Sequence, residues 1–319
     1  MTRHDVATAR RLKTVVCVLL ALTASACATS RPSGSSQPAT APIATAAGTQ
    51  NAASRATPVR RTATSKDGIK IAYDMTGTGP FLVMLHGGGQ AARSWADRDY
   101  VTKLKTRFTL VTPDQRGNGD SDKPATLEAY ALDHLLDDVL AVADAAGAER
   151  FHVWGFGHGA TIARYLAERS DRVISAVLVG SEFGPALSGT VRDAVTGMRA
   201  KWLPLVQSKA AGTLEVEALS LSDRTAWDNG VAVSAMALGA MLDYPPLEPA
   251  AITVPTLWLV GAADTSAMEN AKAYEGKLAG TKVILKSLSG ASYTDSFAKS
   301  DVPLAEALPF LTEQTTTTQ

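Results

Sequence analysis

The chain has 319 residues, 45% of them apolar, with 31 basic and 31 acidic side chains, five histidines and two cysteines. That size and balance suit one large α/β domain or two small ones and exclude a disordered or fibrous protein. The charge is uneven: eight bases and one acid precede residue 62, leaving 23 bases and 30 acids beyond. A body near −7 is the wrong partner for nucleic-acid phosphates.

Residues 1–27 read as an export signal. Four bases and one acid precede Lys13 inclusive, and the apolar run Thr14–Cys27 has the length of a signal-peptide core, too short to span a bilayer comfortably. Ala24-Ser25-Ala26 before Cys27 resembles the lipobox of bacterial lipoproteins, in which the cysteine is acylated and becomes the new N-terminus. The departure is Ala24, where such sites carry Leu, Val or Ile. A plain secretory A-x-A site cleaved at the same bond is the alternative. Cys17 leaves with the signal, so Cys27 has no partner for a disulfide. Residues 28–61 are rich in Ala, Thr, Ser, Pro and Gly without one acid, which predicts a tether unable to bury a core. Its four arginines could touch anionic headgroups.

From Thr62 the chain alternates strand and helix signals. Thr62–Met75 reads as a hairpin turning at Asp67-Gly68. Phe81–Leu85 is a continuous apolar run, the pattern of a strand buried on both faces of a parallel sheet. It leads into His86-Gly87-Gly88-Gly89, where missing Cβ atoms let backbone N–H groups face a ligand oxygen. Phe108–Pro113 is the next strand, followed by Asp114-Gln-Arg-Gly-Asn-Gly-Asp-Ser121. Leu127–Ala146 is an amphipathic helix closed by Gly147.

Phe151–Ser170 is the stretch around which the body is organised. It starts apolar, pinches at Gly155, Gly157 and Gly159, and continues with Ile162, Tyr165 and Leu166 on one helical face. Val173–Val179 is another buried strand. Residues 183–250 are helical in pattern, with Val231–Leu242 rich in Ala, Met and Leu. Val254–Asp264 and Lys282–Leu288 are two further strands, the second leading into Ser289-Gly-Ala-Ser-Tyr293. A last helix spans Phe297 to about Leu311, and the Thr-rich residues 312–319 read as a disordered tail.

Strand, glycine-pinched turn and helix together resemble the nucleophile elbow of α/β hydrolases, written G-x-S-x-G. His86–Gly89 resembles the oxyanion loop of that family, and Asp114–Ser121 its D-x-R-G-x-G-x-S segment, a structural turn in relatives. The resemblance covers about 62–311. It implies an α/β-hydrolase fold, with a mostly parallel eight-stranded sheet flanked by helices and a helical cap at 183–250. It places Gly157 at the nucleophile position, Asp264 at the acid and Tyr293 at the base. The N–H groups of Gly88 and His158 become the oxyanion donors, and His86 becomes structural. A second register makes His158 the nucleophile, but puts Phe156 where the turn needs glycine.

Two triad members are thus missing from the sequence. Glycine has nothing to attack with, and none of the five histidines follows Asp264. An unperturbed phenol holds its proton at neutral pH, so Tyr293 is a poor base. Three readings follow. One is a non-catalytic binder of a small apolar ligand with a carbonyl or carboxylate. Another is an enzyme with a rearranged site using His158 or Glu182, or running a general acid–base reaction without a covalent step. The third is a surface interaction protein with a vestigial pocket. No metal or cofactor is expected, and the membrane is met only through a lipid on Cys27. Bulky side chains packed on Gly157 would favour the third reading, and an open pocket the first two.

Overall fold

A computed structural model describes residues 59–317. The expected signal, Cys27 and the tether up to residue 58 lie outside them. The chain opens with the hairpin β1 (Val59–Thr64) and β2 (Lys70–Gly77), turning at Gly68 with φ +86°. The strand therefore begins earlier than the composition suggested, and residues 59–61 belong to it rather than to the tether. They pair with Tyr73–Met75, and Arg60 reaches carboxylates of the body, Asp74 at 3.4 Å and Asp120 at 2.9 Å, instead of a membrane.

Next come β3 (Phe81–Leu85), α1 (Arg93–Ala96), α2 (Tyr100–Leu104), β4 (Thr109–Pro113) and α3 (Leu132–Ala146). Gly147 ends α3 at φ +77°, as its position after the last apolar turn required. β5 (Phe151–Phe156) and α4 (His158–Arg169) hold the glycine-pinched turn, and β6 (Val173–Val179) follows. The cap contributes α5 (Gly189–Ala210), α6 (Leu221–Asp228) and α7 (Val231–Ala240). β7 (Thr256–Gly261), α8 (Thr265–Glu275), β8 (Val283–Leu288), α9 (Asp295–Ala298) and α10 (Asp301–Thr317) complete the fold.

The eight strands form one sheet in the order β1-β2-β4-β3-β5-β6-β7-β8. β1 and β2 are antiparallel to their neighbours and the rest run parallel, as the continuous apolar runs required. Strand residues alternate between two cores. Val83, Leu85, Val153 and Trp258 face α3 and α4, while Leu82, Met84, Trp154 and Leu259 face Trp95, Phe297 and Leu304. Each such Leu or Val removed from water is worth about 1.5–3 kcal/mol, so this alternation fixes the register.

α10 runs six residues past Leu311, through what the sequence suggested was a disordered tail. Threonine hydroxyls bond back one turn, Thr312 to the Leu308 carbonyl at 2.8 Å and Thr315 to Leu311 at 2.9 Å. Thr315 Oγ1 also lies 3.1 Å from Nε2 of buried His152. β3 lies between β4 and β5, so the connection after β3 runs to one side of it and the connection after β4 crosses to the other. Crevices at such switch points, beyond the carboxyl ends of the strands, are where this class of sheet holds ligands. His86–Gly89 and Gly157 leave the ends of those two strands.

Candidate functional site

The turn after β5 is shaped by what cannot fit there. A Cβ on Gly155 would collide with the Gly159 carbonyl and the backbone of Ala160, and one on Gly159 with the Leu85 carbonyl. Strand and helix therefore cross in direct backbone contact. Gly157 N–H donates to Val179 O at 2.8 Å and Gly159 N–H to His86 O at 3.1 Å. Between them Gly157 sits at φ +52°, ψ −116°, a conformation that side chains rarely adopt.

The loop after β3 is anchored by His86, which is fully buried. Its Nε2 accepts the Gln115 backbone N–H at 3.0 Å, which leaves Nδ1 as the donor to Gly87 O at 2.8 Å. Burial holds the imidazole below its ordinary pKa. Gly88 and His158 meet as expected: a Cβ on Gly88 would lie 3.7 Å from that of His158. It would also lie 3.4 Å from Leu238 Cδ2, so cap helix α7 rests on the loop. The His158 side chain is buried, its pKa pushed down to about 4 by burial first and by nearby His86 second. Its Nε2 has no hydrogen-bond partner. A neutral, enclosed imidazole of this kind is a poor nucleophile and a poor base at neutral pH.

The three triad positions come together, but without the side chains of a serine–histidine pair. Asp264 is the N-cap of α8, accepting the Ala267 N–H at 3.3 Å. Burial, and then the charge of Glu182, raise its pKa. Glu182 is itself occupied, accepting from Ser188 Oγ at 2.7 Å and Ser266 Oγ at 2.8 Å. Those bonds tie the start of the cap to the start of α8. Tyr293 does come to the elbow, but not as a base beside a nucleophile. A Cβ on Gly157 would collide with Tyr293 Oη, with Cζ at 3.6 Å and Gly87 Cα at 3.8 Å as the next neighbours. The phenol oxygen thus stands where a side chain at 157 would begin. Tyr293 Cε2 lies only 2.7 Å from a Cβ built on Gly180, and the ring packs on Phe156 with centroids 4.9 Å apart. Glycines at both 157 and 180 make the slot that admits the ring. Burial first, and the Asp264 charge second, push the phenol pKa further up, away from any role as a base.

In front of Tyr293 the surface opens into a cleft of about 880 Å³, lined by α1, the turn after β4, the α6–α7 junction and Tyr293-Thr294. Neither Gly88 nor Gly157 lines it. Its floor is the Asp114–Ser121 turn. Asp114 accepts the N–H groups of Ala92 at 2.6 Å and Asp120 at 2.8 Å and pairs with Arg60. Arg116 is buried between Asp138 at 2.6 Å and Asp67 at 2.7 Å. The motif is a structural turn, as the resemblance implied. Among the described residues no three His, Cys, Asp or Glu side chains converge as metal ligands, and no helix is long and apolar enough to cross a membrane.

Residues 80–215 match the family described as the alpha/beta hydrolase fold. A relative named epoxide hydrolase 3, from Siraitia grosvenorii, is 34% identical over 121 residues, 37% of this chain and 38% of its own length. The soluble epoxide hydrolase of Corynebacterium sp. (strain C12) is 34% identical over 101 residues, 32% of this chain and 34% of its own length. The matched stretch is thus under half of each of these relatives. Among solved structures, one described as a novel epoxide hydrolase from hot-environment metagenomes superposes with a TM-score of 0.61 at 22% identity. It covers 80% of this chain and 99% of that one. At that identity the likeness is one of fold.

Proposed function

We propose that this chain, whose fold is that of the α/β hydrolases, is an exported, lipid-anchored protein that binds a ligand without turning it over. The Tyr293 hydroxyl lodged against Gly157 supports the absence of turnover, and the cleft in front of Tyr293 supports binding. A covalent mechanism at this elbow needs a side chain to attack with, and the residue has none. The space such a side chain would use is taken by a phenol held neutral. Of the groups that could stand in, His158 is enclosed and Glu182 is bonded to two serines. Epoxide hydrolysis, which the relatives' names suggest, meets the same obstacle.

A small apolar ligand with a carbonyl or carboxylate would reach the Gly88 and His158 N–H groups only by displacing Tyr293 and Leu238. Packing on Gly157 is the feature that favours a vestigial interior. The cleft in front of Tyr293, however, keeps a ligand-sized recess, and this supports binding over a purely structural surface.

The test is a fluorophosphonate probe, which requires an activated serine and is expected to leave the wild type unlabelled. Ester turnover is expected to stay within about 10³–10⁴ over water, the residual that oxyanion donors and binding give alone. Gly157→Ser is expected to remain inert, because no imidazole takes its proton. Gly157→Ser with Tyr293→His clears the phenol and restores the order serine, acid, histidine, and is expected to gain esterase activity. Labelling of the wild type at one serine, lost when that serine is replaced, would overturn the reading.

A further inference from the structure

We propose that the cleft in front of Tyr293 is a binding site for a neutral oligosaccharide. The inference rests on the binding reading above and names the ligand class. At about 880 Å³ the cleft lies within the range of about 300–1,000 Å³ usual for ligand sites. Its lining holds four cations, Arg60, Arg93, Arg98 and Lys123, against four aspartates, 74, 97, 114 and 120, so no net charge selects an ion.

Most of these charges already have partners. Arg60 is held by the three aspartates of the floor, 74, 114 and 120. Lys123 donates to the Gly119 and Ser121 carbonyls at 2.6 and 3.0 Å. Arg98 donates to Ser94 O at 3.1 Å and stands 4.8 Å over the Phe297 ring. Left without a hydrogen-bond partner among the described residues are the Arg93 guanidinium, the Asp97 carboxylate, the Asn229 amide and the Ser234 hydroxyl. Ser94 joins them: it is only 8% exposed, lines the cleft, and its Oγ has no partner.

This is a set of mixed donors and acceptors with both charge signs. A lone anion would meet Asp97, and a lone cation would meet Arg93. An apolar molecule would cover solvent-exposed Arg93, Asp97 and Asn229, half-buried Ser234 and buried Ser94 without replacing their water, at a cost for each. A sugar hydroxyl both donates and accepts, so neighbouring hydroxyls can satisfy guanidinium, carboxylate and amide forks at once. Tyr293 and Val233 supply the apolar surface that the C–H face of a pyranose needs.

Calorimetric titration of the folded chain with maltotriose, cellotriose and chitotriose tests this, with trigalacturonate as the charged comparison. At least one neutral trisaccharide is expected to bind. Arg93→Ala is expected to weaken that binding about tenfold or more. Ser234→Trp, which fills the cleft, is expected to abolish it. Unchanged melting temperatures would show that both variants fold. Binding by none of the three, preference for trigalacturonate, or binding untouched by both variants would overturn the proposal. The fluorophosphonate probe and an assay for new reducing ends, run on the same preparation, separate the two ideas. Labelling or sugar cleavage would sink the non-catalytic reading while leaving the cleft a binding site. Absent binding with an unlabelled, inert protein would sink the cleft alone.

Discussion

The contact between Tyr293 and Gly157 makes a quantitative claim that two substitutions and their combination can test. Gly157→Ala places a methyl at φ +52°, where side chains carry a strain of about 1–3 kcal/mol. The same methyl collides with Tyr293 Oη, and overpacking of this kind adds about 1–3 kcal/mol. The single variant is therefore expected to lose about 2–6 kcal/mol in denaturant unfolding. Tyr293→Phe removes only that oxygen, which has no hydrogen-bond partner among the described residues, and should lie within about 0.5 kcal/mol of wild type. In the double variant the nearest ring atom to the methyl is Cζ at 3.6 Å, an ordinary van der Waals contact. The collision disappears and the backbone strain stays, so the cycle is expected to show a favourable coupling of about 1–3 kcal/mol. Additivity within about 0.3–0.5 kcal/mol would mean that the phenol does not sit on the elbow. A neutral Gly157→Ala would mean that the turn has relaxed, and the register of the whole site would fall with it.

Gly155→Ala and Gly159→Ala are each expected to cost more than Gly157→Ala, because the atoms met are carbonyl and backbone atoms with no rotamer to yield. Either variant expressing with a wild-type melting temperature would contradict the backbone crossing of β5 and α4. His152 is pushed down to about 4, by burial first and by Arg150 second. Its folded pKa lies below the unfolded value of about 6.5, so the unfolded chain takes the proton first. The stability held by neutral His152 is complete above about pH 6.5 and is lost as pH falls to about 4, some 3 kcal/mol in all. A His152→Gln variant should show a shallower fall in that window, and an unchanged slope would refute the assignment. Cys27→Ala is expected to move the body from the membrane to the soluble exported fraction. A wild type already soluble, with an unmodified Cys27 at its N-terminus, would rule out the lipid anchor.

Much of the fold was legible because its signals are local. Continuous apolar runs such as Phe81–Leu85 fit buried parallel strands, and Gly147 after an amphipathic run fits a helix end. The elbow was legible for the same reason, since three glycines in five residues answer to two backbone crossings and one positive φ. What stayed hidden depends on side chains that meet across long separations. Tyr293 could be placed at the base position by motif, but its hydroxyl reaches Gly157 only because Gly180 also lacks a Cβ. Asp264 reads as a triad acid in sequence, and only the fold shows that its carboxylate also caps α8. Glu182 is tied to Ser188 and Ser266, an arrangement no spacing announces. Compositional rules misplaced both ends of the body. Arg60 looked like tether but pairs with aspartates of the body, and the threonines after Leu311 bond back along a helix.

A turn that served only to aim a nucleophile would have no reason to hold this shape around a glycine. Here Gly157 sits at φ +52° and ψ −116°, and the cause lies on either side of that residue. Gly155 touches the first turn of α4 and Gly159 touches the end of β3, so three elements share one crossing point where only backbone fits. Relaxing Gly157 would pull β5 from α4 and open the apolar contacts of Ile162 and Leu166 with the sheet, at about 1.5–3 kcal/mol for each large side chain exposed. For glycine itself the conformation costs little, because the mirror half of φ space is open to it. Packing therefore holds the elbow in place, and glycine at 157 carries neither an attacking group nor the strain a side chain would bear there. The Tyr293 hydroxyl stands where a side chain at 157 would begin.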